Sequence, residues 1–123
     1  MIGYTTVGTN NFTRSASFYD VLLGLLGGER AMQADDFIAW GKEPNTPMFS
    51  IHIPADGKTA SVGNGVMIAL KAENSEQVVA IHCQAIELGG ADEGKPGPRG
   101  DTGFYAAYFR DLDGNKLNIH CML

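Results

Sequence analysis

The hydrophobic positions of the chain recur with two periods, which predict two helices among short strands. Each predicted helix has an apolar stripe at three- and four-residue steps and is followed by two glycines, Gly27-Gly28 or Gly89-Gly90. The second helix is preceded by Asn74-Ser75-Glu76-Gln77, a pattern typical of a capped helix N-terminus. The two stripes consist of Phe18, Leu22, Leu25 and Leu26, and of Val78, Ile81, Ala85 and Leu88. We therefore expect one face of each helix to be buried against a sheet.

Segments rich in β-branched and aromatic residues, bounded by turn residues, predict the strands. They cover residues 4–9, 29–33, 37–41, 48–54, 66–70, 104–110 and 116–122. The last two are joined by a turn whose Asp113-Gly114 step supplies a residue of positive φ, so a hairpin is expected there. Residues 94–103 are rich in glycine and proline and are predicted to form a loop.

The two halves of the chain repeat one order of elements: a strand, a helix closed by two glycines, and short antiparallel strands. This order predicts an α+β fold built from two βαβββ modules. We place module one at residues 1–54, a connector at 55–64 and module two at 65–123, within a single domain of residues 1–123. Because each helix covers one face of its strands, the uncovered faces are expected to form a curled, mostly antiparallel sheet with a ligand cup.

Charge and hydropathy narrow the classes of partner. The 123 residues carry a formal net charge of −5, with 44% hydrophobic and 19% charged residues, so we expect no binding to nucleic acid or to a membrane. The most apolar stretch, residues 21–28, is much shorter than the ~20 residues that cross a bilayer. With no sign of a signal peptide, the sequence predicts a cytoplasmic protein. Cys83 and Cys121 lack the spacing of a zinc or redox motif and are expected to be free, buried thiols.

Two segments carry a family resemblance. Residues 13–20, Thr-Arg-Ser-Ala-Ser-Phe-Tyr-Asp, resemble the opening helix of the vicinal oxygen chelate superfamily, which includes glyoxalase I, the extradiol dioxygenases and bleomycin-resistance proteins. Residues 108–117, Tyr-Phe-Arg-Asp-Leu-Asp-Gly-Asn-Lys-Leu, resemble the closing hairpin of that superfamily, with Leu112 where proline is usual. The resemblance spans the whole chain in order, and it implies the two-module fold.

The resemblance also implies where a metal ion would be held. Metal-dependent members of the superfamily place His, Glu or Gln ligands on the first, fourth, fifth and eighth strands, where the ion acts as a Lewis acid. The corresponding residues here are Tyr4, His52, Met67 and Asn118, and only His52 is a usual ligand for such an ion. We therefore predict no metal and no other cofactor. The alternative is a divergent site for a divalent ion formed by His52 and His120, with Tyr4 as a third ligand.

Period-two alternation and side-chain chemistry select the candidate ligand-binding residues of the cup. They are Tyr4, Trp40, His52, Met67, Asn118 and His120. Trp40 is expected to stack on a planar ligand, and the competing interpretation is that it fills the mouth of the barrel. Tyr108 is favoured over Tyr105 for the cup, since the two have opposite parity. Arg99 is either a loop residue that pairs with a ligand carboxylate or a solvated arginine.

Two functions from different classes fit these residues. The first is a glyoxalase- or bleomycin-resistance-like protein that binds a small organic molecule in the cup, without the usual metal and without turning it over. The alternative is a lyase or isomerase of the glyoxalase I type with a divergent metal site, and no catalytic residue is assigned for it. In either case a homodimer is expected, because the sheets leave strand edges that must be covered.

Overall fold

The computed structural model describes residues 1–123, which form two compact units, residues 1–62 and 63–123. The first unit contains β1 (Tyr4–Gly8), α1 (Phe12–Leu25), β2 (Glu29–Gln33), β3 (Phe37–Gly41) and β4 (Met48–His52). The second contains β5 (Ile68–Lys71), α2 (Ser75–Glu87), β6 (Ala91–Pro98), β7 (Phe104–Arg110) and β8 (Lys116–Met122). The predicted α+β fold of two βαβββ modules is confirmed.

Each unit has one four-stranded sheet, and the two sheets share the same strand order. The first sheet has the order β1-β4-β3-β2 and the second β5-β8-β7-β6. The pairs β1–β4 and β5–β8 are parallel, and the remaining pairs are antiparallel. Each sheet is therefore mixed, mostly antiparallel and open.

Both helices form where the apolar stripes predicted them, and both have side-chain caps. The Arg14 backbone N–H donates to Asn11 Oδ1 at 3.1 Å, and the Gln77 backbone N–H donates to Asn74 Oδ1 at 2.9 Å. These bonds satisfy N–H groups that have no partner within the helix. Gly27 and Gly89 follow the helices with φ of 83° and 103°, a conformation that glycine adopts without strain. Neither helix has the length and apolar character needed to span a membrane.

The core of the first unit lies between α1 and one face of the first sheet. The Tyr19 ring of α1 contacts the rings of Trp40 and Phe49, at centroid distances of 5.9 and 4.6 Å. Phe49 pairs with Trp40 across β3–β4, and Ile51 pairs with Ile38, so all four side chains are on the helix-covered face. We use "open face" for the sheet face that the helix of the same unit does not cover.

The second unit repeats this arrangement with α2. Phe109, Leu117 and Ile119 are fully buried on one face of the second sheet. His82 of α2 is buried as well, and its Nε2 lies 3.0 Å from Oδ1 of Asp92 on β6. Asp92 pairs with Phe109 across β6–β7. The helix-covered face therefore carries the core, and residues of the other parity along β7 and β8 form the open face.

Several sequence predictions were wrong at particular segments. Residues 91–98 form the edge strand β6, although 94–103 was predicted as a loop, because an edge strand with two register shifts tolerates glycine and proline. Strand β5 begins at Ile68 instead of residue 66, since a turn through Gly65, with φ 92°, precedes it. Both cysteines are free, but Cys83 is exposed, and only Cys121 is buried as predicted.

Candidate functional site

The open face of the first sheet carries Tyr4, Thr6 and His52. Thr6 pairs with Ser50 and Gly8 with His52 in the parallel β1–β4 register, so these side chains share one face. The Thr6 hydroxyl lies 3.0 Å from His52 Nδ1 and fixes the orientation of that imidazole. Tyr4, at the start of β1, is 58% exposed. The predicted parity of β1 and β4 is therefore correct, and this face offers a phenol, a hydroxyl and an imidazole.

Trp40 does not lie on the open face, and its predicted place in the ligand-binding set is wrong. The residue is only 2% exposed and packs against Tyr19 of α1. Its indole N–H donates to Asp20 Oδ1 at 2.9 Å, so its one polar atom already has an acceptor within the first unit. Ile38 and Trp40 have the same parity on β3, and Ile38 is apolar. This pattern indicated that the Trp40 side chain lies on the helix-covered face.

The open face of the second sheet joins Asn118 and His120. His120 Nδ1 lies 2.8 Å from Asn118 Oδ1, and an amide oxygen can only accept, so Nδ1 carries the hydrogen. Nε2 of the neutral imidazole is then left with a lone pair. The Phe104 ring lies against the same imidazole, with the ring centroids 5.3 Å apart. Both residues thus have the predicted open-face parity on β8.

The protonation of His120 is biased toward the neutral form. Partial burial lowers the pKa of the imidazole, and the positive charge of Lys71, its neighbour across the β5–β8 pair, lowers the pKa further. A neutral His120 accepts a hydrogen bond at Nε2 while donating one at Nδ1. This side chain can therefore orient a ligand hydroxyl at neutral pH.

Met67 was predicted to line the cup from the fifth strand, but it precedes that strand. It is 39% exposed and follows the turn that ends at Val66. Ile68 and Leu70 pair with the buried Leu117 and Ile119 and therefore lie on the helix-covered face, whereas Val66, before the strand, is exposed. The side chain of Met67 is thus accessible, and its contact with a ligand stays a prediction.

Sequence reasoning favoured Tyr108 for the open face of the second sheet and considered Arg99 as a ligand partner, but it missed Lys71. Tyr108 pairs with Asn118 and occupies the parity that was favoured for it. The Arg99 guanidinium and the Lys116 ammonium lie 5.4 and 5.7 Å from the centroid of the Tyr108 ring. Lys71 pairs with His120 on the open face. It lies two residues after Ala69 on the same strand, so alternation along β5 would have predicted this position.

The donor set does not fit the metal site that the resemblance implies. Nowhere in the chain do three His, Cys, Asp or Glu side chains cluster in a way that could hold a metal ion. At the closing-strand position, Asn118 presents a neutral amide whose oxygen already accepts from His120. Tyr4 and His52 belong to the first unit, while Met67, Asn118 and His120 belong to the second. Each open-face histidine is hydrogen-bonded within its own unit, His52 to Thr6 and His120 to Asn118.

Comparisons with known proteins identify a family with this fold. A family model for the Glyoxalase/Bleomycin resistance protein/Dioxygenase superfamily matches residues 1–119. A glyoxalase/bleomycin resistance protein from Albidiferax ferrireducens T118 is 36% identical, with a TM-score of 0.88, over 98% of this chain and 97% of that chain.

More distant structures share the fold alone. A glyoxalase/bleomycin resistance protein/dioxygenase family enzyme from Burkholderia phytofirmans PsJN is 16% identical, with a TM-score of 0.77, over 98% of both chains. Lactoylglutathione lyase from Agrobacterium tumefaciens is 18% identical, with a TM-score of 0.70, over 98% of this chain and 92% of that chain. No curated protein matches the chain. The family model and the Albidiferax structure show that the chain belongs to the glyoxalase/bleomycin resistance protein/dioxygenase superfamily.

Proposed function

We propose that this protein binds a small organic molecule at the open face of its second sheet, without a metal ion and without chemical turnover. The observation that carries the proposal is the state of Asn118. The residue is 2% exposed, and its amide oxygen accepts from His120 Nδ1 at 2.8 Å, at the position where the resemblance implies a metal ligand. A neutral amide engaged in this way serves to orient a ligand better than to hold a divalent ion.

The open face of the second sheet has the chemistry of a binding surface. Phe104 and Tyr108 supply aromatic area, and burial of apolar surface stabilises a complex by about 25 cal/mol per Å². Asn118 and His120 supply hydrogen-bonding groups that fix orientation, at a cost if they are left unpaired. This combination of apolar wall and few polar groups is typical of small-molecule sites.

The alternative function is a lyase or isomerase of the glyoxalase I type. Its candidate metal ligands are the two open-face imidazoles, His52 of the first unit and His120 of the second. The lactoylglutathione lyase from Agrobacterium tumefaciens shares the fold with this chain, but at 18% identity the likeness extends to the fold alone.

One experiment separates the two functions. Protein purified without a His-tag is analysed for Ni, Zn, Mn and Fe, and is then screened by thermal shift against aromatic carboxylates and their primary amides. It is also assayed for turnover of the hemithioacetal of methylglyoxal and glutathione, with and without added Ni²⁺ or Zn²⁺. We expect substoichiometric metal, saturable stabilisation by panel members and no turnover. Stoichiometric metal and turnover that are both lost in His52→Ala would overturn the proposal in favour of the lyase.

A variant pair tests whether stabilisation comes from the predicted surface. Met67→Lys should reduce stabilisation by the neutral amides of the panel while leaving the melting temperature of the free protein unchanged, because Met67 is exposed and lies outside the strands. Val79→Lys, on the exposed side of α2, is the matched control and should leave both quantities unchanged. Equal behaviour of the two variants would remove Met67 from the ligand-binding set.

A further inference from the structure

Positive charge is concentrated on the open face of the second sheet, although the whole chain is acidic. Lys71, Arg110 and Lys116 have the open-face parity, through the pairs Lys71–His120 and Arg110–Lys116, and Arg99 lies over Tyr108 of the same face. The formal net charge of the chain is −5, so the sign of the charge on this face is opposite to that of the chain as a whole. A local reversal of charge creates a potential that attracts ligands of the opposite sign.

Of these four cations, only Arg110 forms an ion pair with a carboxylate. Glu93 accepts from Arg110 Nε at 2.6 Å, and its pKa is held below the usual range by that hydrogen bond and, more weakly, by Lys116. The four ion pairs of the chain leave Lys71, Arg99 and Lys116 without a carboxylate partner. Three cations are thus available for an anion that is not part of the protein.

The Arg99 guanidinium is fixed by the backbone around it. Nη1 donates to the carbonyl oxygens of Gly97 and Pro98 at 2.9 and 3.3 Å, and Nη2 donates to that of Lys95 at 2.7 Å. A Cβ atom added at Gly94 or Gly97 would lie 3.3 Å from a guanidinium nitrogen, so glycine leaves room for it. The β6 segment therefore holds this charge 5.4 Å from the Tyr108 ring centroid in a defined position.

An amide donor completes the surface. Asn118 is 2% exposed and its Oδ1 accepts from His120 Nδ1, so its Nδ2 is the polar atom of the amide that is left to donate. Tyr108, paired with Asn118 across β7–β8, places this donor beside the aromatic ring. An amide N–H group complements a ligand oxygen that accepts hydrogen bonds.

We propose that the ligand of this face is an organic anion, a planar molecule that carries a carboxylate. Lys116 and the Asn118 amide bind this carboxylate beside the Tyr108 ring. This proposal rests on the proposed binding function and adds the charge class of the ligand. Two cations near one ring without a counter-ion repel each other, and a bound carboxylate removes that repulsion. Tyr108 contributes aromatic surface beside the bound molecule.

The test compares ligands that differ only in charge. Isothermal titration measures the affinity of benzoate, salicylate and 2-naphthoate, and of the primary amide of each acid, for the wild-type protein and for Lys116→Gln. We expect each carboxylate to bind more tightly than its amide, with the difference shrinking as sodium chloride is raised. Lys116→Gln should weaken carboxylate binding about fivefold and leave amide binding unchanged, as for a partly solvated ion pair.

Lys58→Gln is the matched control, because Lys58 is an exposed lysine of the first unit, outside both sheets. It removes the same charge from the chain and should leave both affinities unchanged. If amides bind as tightly as carboxylates, or if Lys58→Gln weakens carboxylate binding as much as Lys116→Gln does, the anion proposal is wrong and the binding function stands. If neither carboxylates nor amides bind, the proposed function fails, and the anion proposal fails with it.

Discussion

Asp20 is the residue at which three elements of the first unit meet. From α1, its Oδ1 accepts from the indole N–H of Trp40 on β3 at 2.9 Å and from Arg30 Nε on β2 at 2.8 Å. Its Oδ2 accepts from Arg30 Nη2 at 2.7 Å. The hydrogen bond from Arg30 is the main cause that holds the pKa of Asp20 below its usual range, against the opposing effect of burial. One carboxylate therefore joins the helix to both strands.

Replacing Asp20 should separate the two roles of this carboxylate. Asp20→Ala leaves the buried Trp40 N–H without an acceptor and should lower the free energy of unfolding by about 2 kcal/mol. Asp20→Asn keeps an acceptor for the indole and loses only the partly solvated ion pair with Arg30, so the loss should stay below about 1 kcal/mol. Urea unfolding of both variants checks this. Equal losses in the two variants would show that the Trp40 bond contributes nothing.

The same residue predicts a pH dependence. Because the folded-state pKa of Asp20 is lowered, its stabilising contribution is fully present above the ordinary carboxyl pKa of 3.8 and is lost as the pH falls through the folded-state pKa. The stability difference between the wild type and Asp20→Asn should therefore be constant near neutral pH and shrink in acid. A difference that grows in acid would contradict this assignment.

Single-residue predictions succeeded where alternation was regular. On β8, the sequence Lys-Leu-Asn-Ile-His-Cys alternates polar and apolar residues, and Asn118 and His120 were placed on the correct face. Trp40 was misplaced because an indole suits either an apolar core or a ligand surface, and its partner Asp20 lies on another element. The open face of β7 gave little signal, since Ala106 and Ala107 are equally apolar.

At the scale of elements, the β7–β8 hairpin is organised by the carboxylate of Asp111. The backbone N–H groups of Asp113 and Asn115 both donate to Oδ1 at 2.9 Å, and Asn115 Nδ2 donates to Oδ2 at 2.9 Å. Gly114 has φ 89°, as expected for a residue in this turn. The motif that carried the family resemblance is thus a self-contained turn, consistent with a structural role.

The hairpin predicts a large stability effect at one aspartate. Asp111→Ala removes the acceptor of two backbone N–H groups in a part-buried turn and should cost about 2 kcal/mol, with Asp111→Asn losing less. Asp101→Ala, in an exposed loop of the same unit, is the control and should change stability by less than about 0.5 kcal/mol. Urea unfolding measures all three. An Asp111→Ala variant as stable as the control would contradict the role of this carboxylate.

The elements that sequence reasoning found are those whose residues agree with one period. The helices were found because their apolar stripes, caps and terminal glycines all indicated the same segments. Strand β6 was missed because its residues, Ala-Asp-Glu-Gly-Lys-Pro-Gly-Pro, have low strand propensity, and its pairing with β7 depends on tertiary contacts. The missed strand holds Gly94 and Gly97, the residues that leave room for Arg99.

At the scale of the whole molecule, the two sheets leave four edge strands, which differ in how they are protected. Edge strand β6 contains prolines and two register shifts, and β2 contains a register shift and charged residues. Such features discourage pairing with another chain. The remaining edges, β1 and β5, are preceded by apolar residues, and Ile2 and Val66 are each 59% exposed. Apolar residues at unprotected edges favour burial against a partner.

We therefore predict a homodimer in which a second copy covers these apolar residues. Multi-angle light scattering at micromolar concentration should give twice the chain mass of 13.1 kDa. The double variant Ile2→Lys, Val66→Lys places charges beside both edges and should shift the mass toward that of a single chain, because an unpaired charge in an interface is costly. Val21→Lys with Val79→Lys, on exposed helix positions, adds the same charge and should leave the mass unchanged. A wild-type mass of one chain that persists across concentration and in high salt would contradict the dimer, and apolar exposure at β1 and β5 would then need a partner of another kind.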